Sequence, residues 1–293
     1  MKIFICTLRR SGSTVFWKTF RENTGFTCYD EPFNPGLSAL PKEHKKQVLG
    51  EYINLIKKDA QLFWKKYCSI SPVEENKAQL SIEQKDYLKF LLDSAEDVVI
   101  DTTRCWNKLS SLKEVLEPYP HVFIHLYRDP IAFTSSHLFP SEIKGWRLNK
   151  KFKKEFWTKG NDYNYWKMED VLGKTPGSAF ESMVMQNLNL NLSSEQFYRA
   201  PAHVKLRLFS HIANAKMNEE GKNLFANQFM SIGFESFCKH PDLFFNLLNE
   251  LTNIQSKEMN LTQIKQASEG YKSKDPRWNC EFSQMIPKWN KNN

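Results

Sequence analysis

The chain has no long hydrophobic run and no closely spaced pair of cysteines. Each absence argues against a class of protein. No stretch approaches the roughly 18 apolar residues that a membrane-spanning helix needs. The apolar run at residues 3–6 meets Arg9 and Arg10 too soon for a secretory signal peptide. The six cysteines include no Cys-x-x-Cys pair, which argues against a zinc site and against a disulfide framework. We therefore expect an intracellular, cytoplasmic protein with reduced thiols.

Acidic residues are fewer than basic ones. The 41 Lys and Arg against 33 Asp and Glu give a formal net charge of +8. This surplus favours anionic partners such as nucleotides, nucleic acids, acidic glycans or membrane surfaces. A solvated, lysine-rich surface would carry the same charge, so charge alone leaves the partner open. The length of 293 residues suits one large domain or two small ones.

Short apolar runs bounded by polar residues are typical of strands buried in a sheet. Five such runs occur, at residues 3–8, 26–29, 97–100, 122–127 and 229–234. Helical patterns occur at residues 14–23, 44–67, 82–92, 109–116, 179–192 and 243–251. The alternation predicts an α/β fold with a parallel sheet flanked by helices. Such sheets bind ligands at the carboxyl ends of their strands, and the residues after the first four predicted strands are polar or charged.

The loop after the first strand has the composition of an anion site. It consists of Arg10, Ser11, Gly12, Ser13 and Thr14. Helix N-terminal amides bind phosphate or sulfate readily, and glycine allows the backbone to approach the anion closely. An ordinary Ser/Thr helix cap is the alternative. The loop is not a Walker A motif, since it has one glycine and no lysine before Ser13 or Thr14. A magnesium-dependent kinase is accordingly less favoured.

A second phosphate-binding pattern follows the fourth strand. Arg128 stands at the strand end, Pro130 suits the first turn of a helix, and Ser136 lies about two turns further on. An arginine and a serine placed in this way can bind one phosphate together. The alternative is an Arg–Asp pair that fastens the helix start.

Together the two patterns resemble the family of sulfotransferases that use 3′-phosphoadenosine-5′-phosphosulfate (PAPS). Residues 10–14 resemble its loop for the 5′-phosphosulfate, and Arg128 with Ser136 resembles its 3′-phosphate motif. Residues 30–33 and 234–237 are similar to the family's Glu-Pro-Phe segment and to its Tyr-Glu-Asp-Leu strand end. The segment 272–278 is similar to the C-terminal loop that closes over the donor, through Lys272, Lys274, Arg277 and Trp278.

The resemblance implies a single domain over residues 1–293, built on a five-stranded parallel sheet of the P-loop NTPase-like kind. It also implies that PAPS is the co-substrate and that a sulfuryl group moves to a hydroxyl or amine without a metal. The stretch 139–173 is rich in aromatic residues, including Trp146. It could be a lid or an acceptor platform, or an insertion that packs its own small core. The aromatic residues and the basic surface would suit a carbohydrate or glycolipid acceptor, and we expect no nucleic acid partner.

Catalytic roles follow from the needs of in-line transfer. We expect Glu31 to act as the base, unless it only pairs with a nearby arginine. Arg10 stands where many family members have a lysine. Because arginine stays protonated, Arg10 can stabilise negative charge but is a poor proton donor. Arg104 could contact the donor or an acidic acceptor, and Asp101 could orient Arg104 or replace Glu31 as the base. We expect His125 to be a packed core residue.

Two other classes stay open on the sequence. One is a P-loop-related kinase or another nucleotide-dependent transferase with a degenerate loop. The other is a non-catalytic basic module, whose binding would depend strongly on salt and proceed without turnover.

Overall fold

The computed structural model describes residues 1–23, 25–42, 50–138, 171–172, 179–188, 195, 197 and 202–252. The chain divides into two compact units. The first takes Met1–Tyr127 and Lys216–Glu269, and the second takes Arg128–Ala215 and Gly270–Asn293. The single domain over residues 1–293 stays a prediction.

The first unit contains a five-stranded sheet in which every pair of neighbouring strands is parallel. Its strands are β1 (Lys2–Thr7), β2 (Thr27–Asp30), β3 (Val98–Thr102), β4 (His121–Tyr127) and β5 (Phe229–Gly233). They are arranged in the order β2-β3-β1-β4-β5. The predicted α/β class and all five predicted strands are confirmed, with bounds that differ by at most two residues.

Helices follow each of the strands. The α-helices of the described residues are α1 (Ser13–Asn23), α2 (Gly50–Lys58), α3 (Ala60–Lys66), α4 (Ile82–Leu92), α5 (Leu109–Leu116), α6 (Pro130–Leu138), α7 (Ala179–Leu188), α8 (Ala202–Phe225), α9 (Phe234–Lys239) and α10 (Pro241–Thr252). None of the helices in this part of the chain is both long and apolar enough to cross a membrane. Short 3-10 turns occur at Pro35–Lys42, Glu74–Asn76 and Ala226–Gln228.

One helix prediction was wrong. The sequence favours a single helix over residues 44–67, but the described part of that range forms α2 and α3 with a break at Asp59. The Asp59 carboxylate accepts a hydrogen bond from the amide of Leu62 (2.9 Å) and caps the start of α3. An aspartate that satisfies the first amides of a new helix competes with continuation of the preceding one.

The central strand β1 is buried on both faces, as expected for the middle of a parallel sheet. Ile3 and Ile5 belong to a core cluster with aromatic residues of α1, α9 and α10. Within that cluster the Phe16 ring lies 4.7 Å from the ring of Phe237 and 4.8 Å from that of Phe244. This packing fixes α1, and with it the loop that precedes it, against the sheet.

Gly12, in the loop before α1, lies against the ring of Phe234 at the start of α9. A Cβ on Gly12 would lie 2.3 Å from two carbons of that ring, and the glycine has φ of 90°. Only glycine adopts this conformation without strain. The position therefore admits no side chain for two independent reasons.

We expect Gly12→Ala to lower the free energy of unfolding by about 2–4 kcal/mol, since overpacking and left-handed strain both oppose the added methyl group. Urea unfolding measures the change. Gly25→Ala is the matched control, because nothing lies within 4 Å of a Cβ at Gly25. Equal stability of the two variants would contradict this account of Gly12.

Candidate functional site

The loop that joins β1 to α1 turns the chain sharply at the carboxyl end of the central strand. The Ser11 amide donates to the Leu8 carbonyl (3.2 Å). Arg10 and Gly12 both have left-handed backbone conformations, with φ of 66° and 90°. The Gly12 carbonyl then accepts the first amide hydrogen bonds of α1, at 3.1 and 3.2 Å. The predicted strand, loop and helix are thus confirmed as local structure.

The loop's polar groups suit a tetrahedral anion. The first amides of α1 have no intrahelical acceptor, and the helix dipole makes this end positive. Ser11 and Ser13 are buried, and Thr14 is exposed. The Ser11 hydroxyl has no hydrogen-bond partner among the described residues. A buried hydroxyl without a partner costs free energy, and a bound phosphate or sulfate oxygen would recover it.

An acidic pair lies beside this loop. β3 continues two residues beyond its predicted end, so Asp101 belongs to the strand rather than to the loop after it. Asp101 stands directly opposite Asp30, the last residue of β2. Asp101 is fully buried, and its carboxyl group interacts with the side chains of Asp30 and Ser13. The parallel register therefore brings together two carboxyl groups that are far apart in the sequence.

Burial and mutual repulsion make this pair difficult to ionise. Burial, with the neighbouring Glu31 carboxylate, raises the pKa of Asp30 to about 7. Burial also raises the pKa of Asp101 well above its usual range, and the charges of Asp30 and Glu31 act in the same direction. Two neighbouring buried carboxyl groups resist losing both protons, which favours retention of a proton by the pair close to neutral pH.

A basic cluster occupies the same edge of the sheet. The Glu75 carboxylate, 2% exposed, forms ion pairs with Arg9 and with Arg104, the second at 2.6 Å. Arg104 Nε lies 3.6 Å from Glu31 Oε2. Burial lowers the pKa of Arg9 to about 9, and repulsion from Arg104 contributes. The structure thus brings the predicted residues Glu31 and Arg104 together.

Glu75 was missed by the sequence analysis. It lies in the short Glu74–Asn76 turn, outside every predicted motif. No spacing rule connects this turn with the strand ends. The one signal of a functional role is that Glu75 is buried, which is unusual for a glutamate. This burial cannot be predicted from the sequence around it.

The second phosphate-binding pattern lies in the second unit, where α6 begins at Pro130 as predicted. Asp129 caps this helix, since its Oδ1 accepts from the Ala132 amide (2.9 Å). Ser136 is buried and its hydroxyl donates to the Phe133 carbonyl (2.8 Å). Shared binding of a phosphate by Arg128 and Ser136 stays a prediction, and it requires the Ser136 hydroxyl to turn away from that carbonyl.

Two further expectations concern β4 and β5. His125 is buried in β4, with Nδ1 3.1 Å from the Ser231 hydroxyl, which confirms the predicted core histidine. The segment at residues 234–237 does not end a strand, because β5 stops at Gly233 and α9 begins at Phe234. Glu235 lies in the first turn of α9, where the helix dipole favours an acidic residue.

Five of the predicted site residues lie outside the described residues. They are Trp146, Lys272, Lys274, Arg277 and Trp278. In the part of the chain that the structure describes, no group of three or more His, Cys, Asp or Glu side chains is arranged to hold a metal ion. The five cysteines described there are free thiols.

No protein-family model matches the chain, and no curated protein matches it. Among solved structures, the chain is similar to the sulfotransferase domain from the curacin biosynthetic pathway. The TM-score is 0.44 and the sequence identity 12%, with 89% of this chain and 75% of that chain covered. A likeness of this size assigns neither a donor nor an acceptor.

We expect the free energy of unfolding to fall as the pH rises from about 4 to about 7, by up to about 1.4 kcal/mol per pH unit for one retained proton. The folded state holds the Asp30 proton up to about pH 7, whereas the unfolded chain releases it near the ordinary value of 3.8. Asp30→Asn should remove the contribution of Asp30 to this slope and leave that of Asp101, so the variant should gain stability relative to the wild type as the pH rises toward about 8.

Urea unfolding at several pH values measures this effect. Asp86→Asn, which replaces an exposed carboxyl group on α4, is the control and should retain the wild-type slope. A wild type and an Asp30→Asn variant with parallel stability profiles would show that Asp30 holds no extra proton in the folded state.

Proposed function

We propose that this protein is a sulfotransferase that moves a sulfuryl group from PAPS to an acceptor hydroxyl or amine. The loop at residues 10–14 carries the proposal. It stands at the carboxyl end of the central strand, opens a helix, and combines a left-handed arginine, a close-packed glycine and a buried hydroxyl without a partner among the described residues. These features suit an anion that the protein backbone holds closely.

In our proposal, the residues of this loop bind the donor and stabilise its leaving group. The first amides of α1, with Ser11, Ser13 and Thr14, bind the 5′-phosphosulfate. Arg10 stabilises the negative charge that grows on the phosphate oxygen as its bond to sulfur breaks. Because arginine stays protonated, it stabilises this charge without donating a proton.

Glu31 serves the attacking side. The acceptor oxygen forms a new bond to sulfur while the bond from sulfur to the 5′-phosphate breaks, and Glu31 takes the proton that the acceptor loses. The products are the sulfated acceptor and 3′-phosphoadenosine 5′-phosphate (PAP). Arg104, beside Glu31, contacts the acceptor in this arrangement. A hydroxylated carbohydrate or glycolipid acceptor, with Trp146 as a stacking surface, belongs to the same proposal.

A second candidate is a magnesium-dependent nucleotide transferase. The interaction of Ser13 with Asp101 favours it, since P-loop NTPases hold Mg²⁺ between a loop Ser/Thr and an aspartate. One observation opposes it, because the loop has no lysine for the terminal phosphates.

Calorimetry with PAP, and separately with ATP and Mg²⁺, distinguishes these candidates. We expect PAP to bind, Arg128→Ala to weaken it about 10- to 100-fold, and Ser136→Ala about 3- to 10-fold, in line with charged and neutral hydrogen bonds. Ser182→Ala, an exposed serine on α7, is the control. Binding of ATP with Mg²⁺, and none of PAP, would overturn the proposed donor.

We expect Glu31→Gln to lower turnover at least about 100-fold, the usual scale for loss of a general base. PAP affinity should change little, because the amide keeps the size of the carboxylate. Turnover is followed with radiolabelled PAPS and affinity by calorimetry. An unaltered turnover would remove Glu31 from the mechanism.

A further inference from the structure

The buried ion-pair cluster of Glu75, Arg9 and Arg104 is larger than the proposed reaction requires. Glu31 needs at most one neighbouring cation, yet two arginines converge on a second carboxylate, that of Glu75. Glu75 takes no part in the roles assigned above. Its carboxylate is 2% exposed and contacts guanidinium groups from the ends of β1 and β3.

The turn that carries Glu75 is itself held firmly. The Lys108 ammonium, buried beneath it, donates to the backbone carbonyls of Glu74 (2.7 Å) and Lys77. The Asn107 amide donates to the Asn76 carbonyl (2.6 Å). Lys108 and Asn107 follow β3 on the same connection that carries Arg104. The turn and Arg104 are therefore fixed to one frame, and Glu75 meets Arg104 with its position already set.

The two carboxylates near Arg104 have unequal contacts with it. Glu75 Oε1 is 2.6 Å from Arg104 Nη1, a full charge-assisted hydrogen bond. Glu31 Oε2 is 3.6 Å from Arg104 Nε, beyond hydrogen-bond distance. Glu75 therefore holds the Arg104 guanidinium at Nη1. Glu31 Oε2 has the positive charge of Arg104 nearby but accepts no hydrogen bond from it.

We propose that Glu75 is a positioning residue for the transfer reaction: it fixes Arg104 beside Glu31 and prevents the two from closing into a hydrogen-bonded pair. This inference rests on the proposed function, in which Glu31 accepts the acceptor's proton. Glu75 also supplies the counter-charge that allows Arg9 and Arg104 to lie close together.

A double-mutant cycle tests the proposal, with Glu75→Gln, Arg104→Gln and the two combined. Transfer from radiolabelled PAPS is measured to water and to a panel of hydroxylated acceptors. We expect Glu75→Gln to lower the transfer rate about tenfold or more, with PAP affinity within about threefold of the wild type. Because Glu75 acts through Arg104, the double variant should be no slower than Arg104→Gln alone, within about twofold.

Controls separate positioning from folding. Glu74→Gln changes the neighbouring carboxylate, which accepts hydrogen bonds from Ser71, and should retain the wild-type rate. Glu75→Asp keeps the charge with a shorter reach, so it should fold and still lose rate even if Glu75→Gln does not fold. Thermal unfolding of each variant verifies the fold.

Two results overturn the inference while the proposed function stands. One is a transfer rate in folded Glu75→Gln or Glu75→Asp equal to that of the wild type. The other is a double variant whose loss equals the product of the two single losses, which means independent action. A wild type that neither binds PAP nor transfers the label to any acceptor overturns the proposed function, and this inference falls with it.

Discussion

Two guanidinium groups meet at the carboxyl edge of the sheet, and the arrangement depends on the buried carboxylate between them. Arg9 follows β1 and Arg104 follows β3, which are neighbouring strands, so parallel pairing itself brings these side chains together. Like charges that are shielded from water repel strongly unless an opposite charge lies close by. Glu75 provides that charge from a turn that belongs to neither loop. The close approach of Arg9 and Arg104 therefore depends on the Glu75 carboxylate.

The same edge carries an acidic counterpart. β2 and β3 place Asp30 opposite Asp101, and burial with mutual repulsion favours retention of a proton by this pair. The backbone is strained next to Arg9 and next to Asp30. The residues that follow them, Arg10 and Glu31, adopt left-handed backbone conformations with φ of 66° and 51°. Such residues cost of order 1–3 kcal/mol each and cluster at functional sites. The protein thus gives up stability at the two loops to which we assign chemical roles.

Features with a local cause could be predicted from the sequence. Contacts that depend on how the strands and turns come together in the folded chain could not. Apolar runs located all five strands, and the change from apolar strand to Ser-Gly-Ser-Thr located the loop and α1. The break at Asp59 was missed because the apolar spacing continues across it. The Asp30–Asp101 pair and Glu75 were missed because their contacts join segments that only the folded sheet and the Lys108-anchored turn bring together.

In the proposed function, the loop at residues 10–14 holds the phosphosulfate end of PAPS for transfer to an acceptor. The most direct measurement supplies the wild-type protein with PAPS and a panel of hydroxylated acceptors, and detects products by mass. We expect an acceptor that gains one sulfuryl group, with PAP formed in equal amount and no need for Mg²⁺. An acceptor that gains a phosphoryl group from ATP with Mg²⁺, and no product from PAPS, would contradict it.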